Sequence, residues 1–220
     1  MNIAIDGPAA AGKSTIAKRL AEILEFRYID TGAMYRAVTL YALNNGFIKS
    51  SDSIIQSLDQ IHISLTKEQP QRVLLNEVDV TDEIRSQQVT DNVSYVASIK
   101  EVRRFLVEQQ QQFIKNGEVI MDGRDIGTTV IPNADVKFYM IAHPRTRALR
   151  RFEENKLRGI HQDINLLEQE IIDRDQKDIS RKESPLQKAN DAIEIDTSNM
   201  TIDEVVEQML NIIQKFKTSQ

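Results

Sequence analysis

The residues Gly7-Pro8-Ala9-Ala10-Ala11-Gly12-Lys13-Ser14 fit the pattern G-x4-G-K-[ST], with Thr15 next in line. Each fixed position has a physical reason. Gly7 lets the chain leave a strand sharply, and Gly12 keeps a Cβ out of the way of a phosphate. The loop's backbone N–H groups and the start of the following helix then cradle the β-phosphate of a nucleoside triphosphate. Lys13 adds a mobile positive charge for the β- and γ-phosphates, and Ser14 a hydroxyl for Mg2+. The flanks suit such a loop. Asn2–Asp6 is a short apolar run that reads as a buried strand, and Lys13–Leu24 repeats apolar residues at helical spacing. The middle of the loop, Ala9-Ala10-Ala11, has no third glycine.

A phosphate loop alone does not specify a reaction. A switch GTPase needs Asp-x-x-Gly, and no Asp here has Gly three residues later; its guanine-reading Asn-Lys-x-Asp is also absent, since Asn155-Lys156 runs on to Leu157-Arg158. A kinase of small acceptors needs a second anion site instead, and arginines stand where one would be built. Arg36 closes Asp30-Thr31-Gly32-Ala33-Met34-Tyr35-Arg36, after a second strand at Arg27–Ile29. Arg124 lies in Asp122-Gly123-Arg124-Asp125, at the carboxyl end of a strand, where open α/β sheets bind ligands. Arg174, Asp178 and Arg181 are spaced i, i+4 and i+7, on one helix face. A planar guanidinium grips a phosphate with two parallel bonds, which Lys cannot do.

The elements that must carry these residues alternate. Thr31 is placed to cap a helix over about Gly32–Asn44. Near residue 60 the pattern changes to short strands, at Ile61–Leu65, Val73–Glu77 and Val78–Val80, which read as a small antiparallel insert. Helical spacing resumes from Ser86 to Lys115, broken near Ala97, and Asn116-Gly117 ends it. Glu118–Asp122 and Val136–Ala142 are buried strands. Pro144 opens a basic helix with Arg145, Arg147, Arg150, Arg151 and Arg158, and a charged helix covers Asn165 to about Ser180. A last strand at Ala192–Asp196 precedes an amphipathic helix capped by Thr201 and running to Phe216. Alternating strands and helices imply an α/β fold with a mostly parallel sheet covered on both faces.

The chain has 220 residues, 40% apolar and 28% charged, an ordinary globular composition for one α/β domain with a small insertion. Its net charge of −5 gives no general pull toward nucleic acid or an anionic membrane, so any anion must be held by local arginine clusters. Without cysteine there are no disulfides or thiolate metal sites, and His62, His143 and His161 form no ligand pattern. Met1–Gly7 has no basic region of the signal-peptide kind, and no stretch reaches the ~18 apolar residues of a membrane span, so a cytoplasmic protein is expected. The last helix has its apolar face satisfied by the domain's own sheet, and a monomer is the default expectation.

Gly7–Thr15, Asp30–Arg36, Asp122–Gly127 and Arg174–Arg181, in this order and spacing, resemble the bacterial cytidylate kinases along essentially the whole chain. The resemblance implies a P-loop NTPase fold with a five-stranded sheet, an insertion over residues 61–97 that enlarges the monophosphate region, and a short helical lid over about 148–165. It implies ATP and CMP or dCMP as substrates, with Mg2+ accompanying ATP. Arg36, Arg124 and Arg181 are implied to hold the acceptor phosphate, with Arg174 nearby; Ser94, Arg103 and Asp125 to read the cytosine edge; and Asp178 to contact the ribose. Thr31 and Tyr35 complete the acceptor set, and Lys13, Arg124 and Arg181 are the catalytic cations. Gly7, Pro8, Ala9, Ala10, Ala11, Gly12, Lys13, Ser14 and Thr15 form the ATP loop, joined by Arg151 from the lid. Three residues have two readings each. Asp122 either orients the hydration shell of Mg2+ or braces Arg124, Asp178 contacts the ribose, pairs with Arg181 at i+3 or does both, and Tyr35 either stacks on the base or packs in the core. Two rival readings stand beside this one: a kinase of the same fold with another acceptor, and a nucleotide-binding module without catalysis.

Overall fold

A computed structural model describes residues 1–66, 70–115, 117–157 and 159–218. It divides into two compact units, Met1–Tyr28 with Asn116–Gln220, and Ile29–Lys115. The first unit is built on a sheet of order β2-β6-β1-β7-β8. Its strands are β1 (Asn2–Asp6), β2 (Arg27–Asp30, whose last two residues begin the second unit), β6 (Val119–Gly123), β7 (Val136–Ile141) and β8 (Ile193–Asp196). β1 is central and pairs in parallel with both β6 and β7, and β7 with β8. Chain order therefore reverses around β1, and the carboxyl ends on either side of it are where a ligand crevice is expected. Register sets Asp6 opposite Gly123 on β6 and Tyr139 on β7, so the phosphate loop and the Arg124-Asp125 stretch leave the sheet side by side.

Apolar side chains fill one face. Ile3, Ile5, Ile120, Phe138, Met140 and Ile195 are fully buried with Ile16, Ala17 and Leu20 of α1 (Lys13–Leu24) and Val205, Met209 and Ile213 of α8 (Ile202–Thr218). Thr201 and Glu204 form a reciprocal cap at the start of α8, the Thr Oγ1 accepting from the Glu204 N–H and the carboxylate from the Thr201 N–H. The helix runs two residues past the expected Phe216, helped by Lys215 and Lys217 in its last turn. Between β7 and β8 lie α6 (Pro144–Leu157) and α7 (Ile164–Ser180), which pack against each other. Among the described residues no helix is long and apolar enough to cross a membrane. Asn116 and Arg158 lie outside the described residues.

The second unit holds α2 (Thr31–Asn44), the short α3 (Ser51–Gln56), an antiparallel sheet of β3 (Ile63–Leu65), β4 (Val73–Leu75) and β5 (Val78–Asp79), then α4 (Gln87–Val96) and α5 (Lys100–Phe113). The antiparallel insert is as expected, and the helical break falls at Ala97–Ile99. One local expectation is corrected, and one short helix is additional. Thr31 is the first residue of α2 rather than its cap: Asp30, still extended at the strand end, accepts from the Ala33 N–H at 2.9 Å. The six-residue α3 had no periodic signal of its own, and only Ser50, whose hydroxyl accepts from the Ser53 N–H, marks its start.

Asp30 also pairs with Arg85 at 2.9 Å. Asp30→Ala is therefore expected to cost about 1–2 kcal/mol through the lost cap. Thermal melting should show this as a midpoint lower by roughly 2–8 °C.

Candidate functional site

Gly7 takes φ +149°, and a Cβ there would lie 2.1 Å from the Met140 carbonyl oxygen, so no other residue fits where β1 turns into the loop. Gly12, with φ +92°, closes the loop and caps α1. Between them Ala10 adopts φ +56°, a left-handed conformation that a residue with a Cβ enters at a cost of about 1–2 kcal/mol. Lys13 is buried, and its Nζ donates to the Pro8 carbonyl at 2.7 Å, curling back over the loop. Burial, and then the Arg124 guanidinium, push this ammonium well below its ordinary range, while Asp122, Asp6 and Asp175 oppose them. A buried cation facing another cation is a site that gains from an arriving anion.

Ser14 Oγ donates to Asp122 Oδ2 at 2.7 Å, and Tyr28 Oη donates to the other oxygen at 2.8 Å. The strand-end aspartate is thus anchored beside the loop hydroxyl. Asp6, buried at the end of β1, accepts from the Ile126 and Gly127 N–H groups at 2.8 and 2.7 Å. Burial pushes its carboxyl up to about 7, against those two bonds. These bonds tie the loop's own strand to the π-helical turn Ile126–Val130 that follows Asp125.

Arg124, Asp125, Arg174, Asp178 and Arg181, which lie far apart in sequence, are brought together. Arg124 Nε donates to Asp178 Oδ2 at 3.0 Å. Arg181 lies 3.8 Å from Asp178 and 3.9 Å from Asp125, and its Nε donates to the Ser184 carbonyl at 2.6 Å. Burial alone would raise the Asp178 carboxyl, but the guanidiniums of Arg124, Arg174 and Arg181 hold it below its ordinary value. Burial and then Arg124 bring Arg174 down to about 10. Three guanidiniums gather in a place of low solvent access, with Asp175 and Asp122 as well as Asp178 acting on Arg124, and an arrangement of convergent guanidiniums suits a phosphate. The i+3 pairing of Asp178 with Arg181 is therefore present.

In the second unit Arg36 is buried on α2 and donates to the Ile84 carbonyl at 3.1 Å and to Thr90 Oγ1 at 3.0 Å. Thr90 and the half-buried Ser94 stand four residues apart on α4 and so share a face. The buried Arg103 guanidinium lies 5.1 Å from the centre of the Tyr35 ring and donates to the Ala97 carbonyl at 3.0 Å. Tyr35 thus packs in the core of its unit against a cation, and Thr31, about one helical turn earlier on α2, is also buried.

The basic helix α6 divides its arginines. Arg147, buried, donates to the Ala9 and Ala142 carbonyls, both at 2.9 Å, and pairs with Asp175. Arg150 donates to the Ala11 carbonyl at 3.2 Å and to Thr197. Both are therefore committed to the outside of the phosphate loop. Arg151 lies 3.6 Å from Glu154 on its own helix. Asp6, Thr90, Arg147 and Asp175 matter to these groups, yet their types and spacing gave no reason to single them out for these contacts. Among the described residues no cluster of three or more His, Cys, Asp or Glu could hold a metal by itself.

Comparison with known proteins agrees with the geometry. The family model described as cytidylate kinase matches residues 3–215. A cytidylate kinase of Oceanobacillus iheyensis is 51% identical over 220 residues, covering 99% of this chain and 96% of its own. One of Leuconostoc mesenteroides is 52% identical over 214 residues, 96% of each chain. Among solved structures, an uncharacterized protein from Eubacterium ventriosum superimposes with a TM-score of 0.53 at 12% identity over 98% of each chain, a likeness of fold alone.

Proposed function

The chain belongs to the cytidylate kinase family, and on that premise we propose that it transfers the γ-phosphate of ATP to CMP, and to dCMP, giving ADP and CDP or dCDP. The arginine cluster beside the phosphate loop carries this reading, because a module that only bound ATP would have no use for a second anion site. Gly7–Thr15 bind the triphosphate, with Arg151 added from a lid over about 148–165. Arg36, Arg124, Arg174 and Arg181 serve the acceptor phosphate. Asp125, Ser94 and Arg103 read the base: cytosine offers an amino donor to a carboxylate and two acceptors to Arg or Ser. Thr31, Tyr35 and Asp178 complete the acceptor's surroundings, and residues 61–97 enlarge the monophosphate-binding region.

The acceptor oxygen is already ionised, so no general base is needed. Transfer is in line, and the protein's work is positioning and neutralisation of developing charge by Lys13, Arg124 and Arg181. The Ser14 hydroxyl and the Asp122 carboxylate, held 2.7 Å apart, are hard oxygen donors of the kind Mg2+ takes, and these two residues would hold it. Bound there with ATP, Mg2+ would neutralise charge on the β- and γ-oxygens. A lid that excludes water would suppress ATP hydrolysis. A cytoplasmic monomer suits these small substrates.

A panel of acceptors in a coupled ADP-release assay tests the reading. CMP and dCMP should each support release. Release with AMP or a non-nucleotide acceptor in place of CMP would favour a different kinase of the same fold, and ATP binding without acceptor-dependent release would favour a binding module. Asp125→Ala should raise KM for CMP by about tenfold or more while KM for ATP stays within about threefold. An equal rise in both would make Asp125 a purely structural residue.

A further inference from the structure

The middle of the phosphate loop is gripped from outside by a buried ion pair. The Ala9 N–H donates to Asp175 Oδ1 at 3.0 Å, the other Asp175 oxygen pairs with Arg147, and Arg147 returns to the Ala9 carbonyl at 2.9 Å. Both polar groups of Ala9 are therefore tied into one closed ring of hydrogen bonds. Asp175 comes from α7 and Arg147 from α6, and both side chains are at most 10% exposed. The next residue, Ala10, sits at φ +56°, where the loop is strained and needs outside support to keep its shape. Asp175 also adjoins Arg174 and stands three residues before Asp178, so α7 serves the loop with one side chain and the acceptor-side cluster with others.

We propose that Asp175 and Arg147 are positioning residues that hold the Ala9–Ala10 segment of the phosphate loop in its ATP-receiving shape. The Ala9 N–H is spent on this clamp and does not serve the triphosphate, which leaves phosphate contacts to the rest of the loop. The proposal rests on the reading of Gly7–Thr15 as the ATP cradle, and it holds whichever acceptor the enzyme uses.

Equilibrium titrations with Mg2+–ATP alone and with CMP alone test it. Asp175→Ala should weaken ATP about tenfold or more and leave CMP within about threefold. Removing one member of a buried pair strands a charge, so this variant can fail to fold. The double variant Arg147→Met with Asp175→Leu strands none. It should melt near the wild-type temperature and still bind ATP about tenfold more weakly. Wild-type ATP affinity in the folded double variant, or equal loss of ATP and CMP, would overturn the clamp. If the wild-type protein bound ATP and showed no use of CMP, the assigned acceptor would be wrong while the ATP titrations of the variants would still read the clamp.

Discussion

Lys13→Ala is expected to lower kcat by about 10²–10³-fold, the loss seen when one preorganised donor to a developing charge is removed. The ammonium is buried, bonded to the Pro8 carbonyl at 2.7 Å, and held below its ordinary range by burial and by Arg124. It is thus a cation kept in a place where it is poorly solvated, and the triphosphate relieves that cost. Because the relief grows as negative charge builds during transfer, kcat and kcat/KM should fall together. Removing a buried charge should also leave the melting temperature no lower than that of the wild type. Steady-state kinetics and a melting curve on the same preparation check both parts. Near wild-type turnover in a folded Lys13→Ala protein would refute the assignment of the loop.

Arg124→Met should reduce kcat/KM for CMP by about 10³-fold, on the scale of a single arginine that neutralises a transferring phosphoryl group. Arg124 leaves the end of β6 beside the phosphate loop, and its Nε is fixed by Asp178 at 3.0 Å. That bond, with a longer one from Nη1 to the Gly123 carbonyl at 3.4 Å, orients the guanidinium for an arriving anion. Asp178 would keep Arg181 at 3.8 Å and the field of Arg174, so the fold should survive with a modestly lower melting temperature. ATP affinity, measured by equilibrium titration, should change far less than kcat/KM for CMP. An equal loss of ATP binding would make Arg124 a support of the phosphate loop rather than part of the acceptor site.

What could be read from the sequence follows from how locally each feature is determined. β1 and α1 lie where expected because an apolar run, a glycine turn and a helical repeat follow one another within the first 24 residues. The gathering of Arg124, Asp125, Arg174, Asp178 and Arg181 was anticipated from separated motifs in a characteristic order. Contacts between distant residues were not legible. Ala9 and Asp175 are 166 positions apart, and nothing in the Arg-rich pattern of α6 separates Arg147 and Arg150, bound to the loop's carbonyls, from Arg151. The positive φ of Ala10 is likewise hidden, since alanine rarely takes it and only the surrounding bonds hold it there. At Asp30 and Thr31 two good capping residues stand next to each other, and only the point where β2 stops being extended decides between them.

The most direct test follows the phosphoryl group itself. Purified protein is mixed with ATP labelled in the γ-phosphate, Mg2+ and CMP, and the products are separated. The expected result is label in CDP, one for each ADP formed, and none transferred when CMP is left out. Label released as inorganic phosphate at the same rate with and without CMP, or carried to no nucleotide at all, would contradict a cytidylate kinase.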